Sequence, residues 1–205
     1  MEDVTDFPFR QVLLKVGRPD ILFTEFVNVD GLTSRGQKHV NHRLEKTESH
    51  EPIIIQFWGN NPEKFVESVK IVKDLNFQGV NINLGCPVKK VLKSGCGSAL
   101  IGKYDVVEKI VDELGKLKLN VPISIKTRLG IEKFDKDWII FLLKLKIDTI
   151  FLHGRTAKQV FGGNADWDLI KEVVDMKQAM MEAGSEICST VQFPVEGVVS
   201  DKWEH

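Results

Sequence analysis

The sequence predicts an α/β protein built around a parallel sheet. Short, nearly unbroken apolar runs recur at Ile21–Val27, Ile53–Trp58, Gly79–Leu84, Ile123–Thr127 and Thr149–His153. Helical patterns alternate with them, and chemically capable residues gather where the runs end. Runs this short and β-branched suit strands buried on both faces, as parallel strands are. Successive strand–helix units of this kind close into a (β/α) barrel or form an open doubly wound sheet.

Each helix has its own signals. Pro62–Leu75 places Phe65, Val66, Val69 and Val72 at helical spacing, with Asn61 as N-cap and Pro62 at the first helical position. Tyr104–Leu119, Asp135–Lys146 and Trp167–Met181 follow the same periodicity, with Asp105 and Asp135 available as caps. Two regions result: residues 1–177 carry the strand–helix rhythm, and residues 178–205 form a divergent tail of no assignable structure.

The bulk numbers narrow the function classes. The chain has 205 residues, enough for one sizeable core. With 28 basic and 29 acidic residues the net charge is −1, so any nucleic-acid surface must be a local basic patch. No apolar run reaches the roughly 18 residues of a membrane span, and Met1-Glu2-Asp3-Val4 lacks a signal-peptide pattern, so a cytoplasmic protein is expected. Cys86, Cys96 and Cys188 form neither a C-x-x-C pair nor an even framework, which favours reduced thiols. No metal-ligand pattern is evident, and the oligomeric state is left open.

The candidate site lies along one edge. Gln56 falls late in the second strand, Asn83 and Cys86 follow the third, Lys126 and Arg128 end the fourth, and His153 and Arg155 end the fifth. Parallel α/β folds collect functional groups at the carboxyl ends of strands. Cys86 in Asn83-Leu84-Gly85-Cys86-Pro87 is either a small packing thiol or a proton donor, since an unperturbed thiol near pKa 8.5 is mostly protonated at pH 7. Nearby Lys89, Lys90 and Lys93 would lower its pKa or attract phosphate. Cys96 reads as a small residue in a tight loop. Lys126 is either a solvated strand terminus or a cation beside an anionic ring or phosphate, and His153 is either a satisfied loop histidine or part of a binding loop. The glycine-rich stretch at residues 93–102 matches neither a dinucleotide fingerprint nor a P-loop.

The motifs that these residues form resemble one family. They are Met1-Glu2-Asp3-Val4-Thr5-Asp6 with Phe9-Arg10, Thr24-Glu25-Phe26-Val27 and Gln56-Phe57-Trp58-Gly59, followed by Asn81-Ile82-Asn83-Leu84-Gly85-Cys86-Pro87-Val88-Lys89-Lys90-Val91 and Gly95-Cys96-Gly97-Ser98-Ala99-Leu100. Lys126-Thr127-Arg128-Leu129-Gly130 and His153-Gly154-Arg155-Thr156-Ala157-Lys158-Gln159 complete the set. In order and spacing, from Met1 to about Met176, the chain resembles the FMN-dependent tRNA-dihydrouridine synthases. The resemblance implies a (β/α) TIM-type barrel, here incomplete, with about five to six βα units rather than eight. It implies FMN near Met1, Gln56, Lys126 and His153, with NADPH as reductant. Cys86 would be the acid, Asn83, Arg128 and Arg155 would contact substrate, and uridine in tRNA would be reduced to dihydrouridine. Two other readings are a flavin barrel acting on free pyrimidines and an inactive barrel fragment that binds RNA or a partner.

Overall fold

In a computed structural model, residues 4–187 are described. The elements run α1 (Phe7–Val16), β1 (Leu22–Asn28), α2 (Val29–Leu32), β2 (Ile53–Trp58), α3 (Pro62–Val72), β3 (Val80–Asn83), α4 (Lys89–Lys93), α5 (Tyr104–Gly115), β4 (Ile123–Arg128), α6 (Lys136–Lys144), β5 (Thr149–His153) and α7 (Trp167–Ile187). All five predicted strands form, each within a residue of its predicted ends.

Strand order decides between the two architectures that the sequence left open. The five strands pair in parallel in the order β1-β2-β3-β4-β5, with no reversal. A doubly wound sheet reverses direction at a switch point, whereas a barrel adds each strand beside the last. The sheet also curls. Phe23 on β1 meets Phe151 on β5 edge-to-face, with ring centroids 5.2 Å apart, although these strands lie at opposite ends of the pairing order. This is an incomplete (β/α) barrel. Its strands do not close into a ring among the described residues.

The two faces of the sheet differ in chemistry. On the convex side Ile55, Phe57, Ile82 and Ile125 are fully buried against Phe65, Val107, Ile110, Leu114 and Leu142 of the surrounding helices. Trp138 on α6 joins this layer, and its indole N–H donates to Thr127 Oγ1 at 3.0 Å. The concave side is polar. Gln56 Nε2 donates to Asn81 Oδ1 at 2.7 Å, Asn83 Nδ2 to Gln56 Oε1 at 2.9 Å, and Asn81 Nδ2 to Ser124 Oγ at 2.9 Å. Amide side chains bury both a donor and an acceptor here because each finds its complement on the neighbouring strand.

Helix starts follow the capping signals in part. Asn61 Oδ1 accepts from the N–H groups of Glu63 and Lys64 at 2.9 and 3.3 Å, and Asp135 Oδ1 accepts from Trp138 N at 3.0 Å. Asp105 does not cap. It lies inside the first turn of α5, behind Lys103, which makes no side-chain cap. There its carboxylate opposes the positive end of the helix dipole instead. Helix α1 was not predicted. Its signals were available: Asp6 caps Phe9 N at 2.9 Å and Pro8 lies in the first turn. Helix α7 continues to Ile187, past the predicted boundary at residue 177.

Candidate active site

The carboxyl ends of β2 through β5 bring the predicted groups to one concave rim. Register does most of the placing: Asn83 lies opposite Lys126, Lys126 opposite Phe151, and Arg128 opposite His153. Gln56 joins them through its bond to Asn83. Met1 and Cys188 lie outside the described residues. Arg10, which was not singled out, is fully buried and donates to the carbonyls of Thr5 and Glu45, both at 2.6 Å, so it ties the segment before α1 to the stretch between α2 and β2.

Cys86 is held by three separate contacts. Asn83 Oδ1 accepts from the N–H groups of Gly85 and Cys86 at 3.1 and 3.0 Å, and so turns the chain sharply after β3. The Cys86 carbonyl accepts from Ser98 N at 3.0 Å and from Ser98 Oγ at 3.1 Å. Between them lies Gly97, at φ +61°, where a Cβ would come within 2.6 Å of the Cys86 carbonyl oxygen. No side chain fits there without displacing the cysteine. The Cys96-Gly97-Ser98 segment is thus the buttress of Cys86. Cys96 itself is buried, donates to the Ser94 carbonyl at 3.3 Å, and has its thiol pKa raised by burial.

Arg128 is committed to the backbone. Its Nε donates to Gly85 O at 2.8 Å, and Nη1 donates to Thr156 O and Val160 O, both at 2.9 Å. The side chain is 3 % exposed. It fastens the loop carrying Cys86 to the loop after β5. Arg155 has a similar task within its own loop, with Nε and Nη2 on Gly163 O at 3.0 and 2.8 Å, and its Nη1 lies 3.3 Å from His153 Nε2.

Positive charge accumulates at this rim. Lys126 is exposed to solvent within the concavity, yet the surrounding protein and Arg128 lower its pKa. For His153, burial first and then Arg128, Lys126 and Arg155 lower the pKa to about 4. The imidazole is therefore neutral at pH 7. Because Arg155 can only donate, His153 Nε2 accepts and Nδ1 carries the proton. No carboxylate contributes to the shift of His153, Lys126 or Arg128. Such a set of cations, one of them facing solvent, suits an anionic or electron-rich planar ligand.

The His153 shift has a consequence for stability. Its folded pKa lies below the ordinary 6.5, so the unfolded chain binds the proton first as pH falls. The stabilising contribution is complete above pH 6.5 and is lost between about 6.5 and 4. Solvent screening of this half-buried group reduces it to the order of 1–2 kcal/mol. Urea midpoints measured from pH 7 to 4 should fall, and His153→Gln should flatten that part of the curve. An unchanged slope in the variant would assign the pH dependence to other groups.

The chain is similar in sequence to one family of known proteins. The sequence model of the dihydrouridine synthase family matches residues 1–191, beyond the Met176 limit read from motifs. A probable tRNA-dihydrouridine synthase of Staphylococcus aureus (strain COL) is 35% identical over 205 residues, covering 98% of this chain and 60% of the relative. The probable tRNA-dihydrouridine synthase 2 of Bacillus subtilis (strain 168) is 38% identical over 180 residues, covering 86% of this chain and 55% of the relative. The chain thus spans somewhat over half the length of the relatives it matches. On the match that runs through all five strands, the chain belongs to the dihydrouridine synthase family.

Proposed function

We propose that the protein is an FMN-dependent oxidoreductase of the cytoplasm that reduces uridine to 5,6-dihydrouridine in tRNA, with NADPH as electron donor. The observation that carries this reading is a half-buried thiol, held through its backbone, beside the cations Lys126, Arg128 and Arg155. Reduction of a C5=C6 bond needs a hydride and a proton. FMN, when bound, would supply the hydride. The chain supplies the rest.

Lys126 and His153, with Gln56, would hold the cofactor: the first as a cation, the second as a neutral donor through Nδ1, the third as an amide already oriented by Asn81 and Asn83. Cys86 gives its proton to C5, and solvent reprotonates the thiolate. Asn83 Oδ1 shapes the Cys86 loop, and Nδ2, with one N–H on Gln56, keeps a second N–H with which it would hold the uracil. Arg128 acts indirectly, through Gly85. Arg155, half-buried in the loop after β5, would contact the RNA strand. The target base must leave its stack to reach Cys86 in the loop after β3.

Purified protein should absorb at roughly 450 nm, where oxidised flavins do, and lose that band on addition of NADPH. Unmodified tRNA should then gain dihydrouridine, whereas free uridine and orotate should not react. A colourless protein that still retains tRNA at low salt would support the binding-module reading instead. Turnover of a free pyrimidine would replace tRNA as the substrate. Among the described residues, no helix is long and apolar enough to cross a membrane.

A further inference from the structure

We infer that helix α4 is a phosphate track: Lys89, Lys90 and Lys93 grip the RNA backbone next to the nucleotide under reduction. The inference rests on the reading of tRNA as substrate. At about 100° per residue, positions 89, 90 and 93 fall within an arc of about 100°, and Val91 faces the opposite way. Val91 is buried beneath Cys86, in the space that a Gly97 side chain would need, and its carbonyl accepts from Cys96 N at 3.1 Å and Ser94 Oγ at 2.8 Å. The three lysines are all exposed. The helix is thus pinned by one side to the wall that carries Cys86 and presents its cations on the other.

Like most lysines among the described residues, these three hold no carboxylate. Lys46, Lys64, Lys116, Lys136, Lys158 and Lys171 each hold a carboxylate at 2.6–3.2 Å. Among the described residues, none lies within 4.0 Å of Lys89, Lys90 or Lys93. Three like charges on one short arc repel one another when no anion sits between them. A polyanion removes that cost, and in a chain of net charge −1 a local patch is what a nucleic acid can find. The patch begins three residues after Cys86, so a base that reaches the thiol brings its neighbouring phosphates to α4.

The test is binding of an unmodified tRNA transcript across a salt series. The variant Lys89→Gln/Lys90→Gln/Lys93→Gln is compared with wild type and with Lys116→Gln/Lys171→Gln, whose lysines lie at the end of α5 and on α7. Three single-strand phosphate contacts contribute about 2 to the slope of log affinity against log salt. Between 50 and 200 mM salt, wild type should lose about twentyfold more affinity than the α4 variant. The Lys116→Gln/Lys171→Gln control and Cys86→Ala should keep the wild-type slope, and the α4 variant should keep its flavin band. A wild-type slope in the α4 variant overturns the assignment. Wild-type protein that binds tRNA with this slope but never forms dihydrouridine overturns the enzymatic reading and leaves the track standing.

Discussion

Cys86→Ala should keep the flavin band and tRNA binding while dihydrouridine formation drops by roughly 10²–10⁴-fold, the usual loss when a positioned acid is removed. The expectation rests on how this thiol is held. Its N–H is bound by Asn83 Oδ1 and its carbonyl by both donors of Ser98. Those bonds are to the backbone, so the alanine variant retains all of them and loses the thiol alone. Bleaching of the flavin by NADPH should persist, because hydride supply does not involve the cysteine. A single-turnover rate of dihydrouridine formation equal to wild type would remove Cys86 from the role of acid.

Arg128→Leu should produce the largest loss of stability of any single change at this rim, about 3–5 kcal/mol. Leucine leaves the carbonyls of Gly85, Thr156 and Val160 without the donors that now reach them at 2.8–2.9 Å. Each acceptor stranded away from water costs about 1–3 kcal/mol. Arg128→Lys should recover little, because one ammonium group cannot reproduce a fork that spans two loops. The measurement is the urea unfolding midpoint of each variant. A loss below about 1 kcal/mol would show that the loops after β3 and β5 hold their own shape. The outcome matters for function too, since Arg128 is proposed to position the loop that carries Cys86 through Gly85.

Much of this was legible without coordinates. β-branched runs at Ile53–Trp58 and Ile123–Thr127, the Asn61-Pro62 start of α3 and the Asp135 cap of α6 are local signals, and they held. The gathering of Gln56, Asn83, Cys86, Lys126 and His153 also followed from sequence, because parallel strands point their carboxyl ends the same way. Roles were harder to read. Arg128 sits in a motif beside Lys126, and nothing in that spacing separates a ligand contact from a backbone clamp. Its partners are carbonyls 28 to 43 residues away. Asn81, Ser98 and Ser124 were passed over for the same reason: an amide or hydroxyl becomes informative once its partner on another strand or loop is known.

By itself the sequence determined the five strands, most of the helices between them and the edge at which chemically capable residues collect. These depend on periodicity, capping and the chain direction of strands, all short-range properties. Tertiary structure alone decided that the strands add sequentially into a curling wall, that this wall is apolar outside and amide-lined inside, and that Arg128 faces the backbone. Those outcomes depend on which distant groups desolvate together, and hydrogen bonds are satisfied in space rather than along the chain.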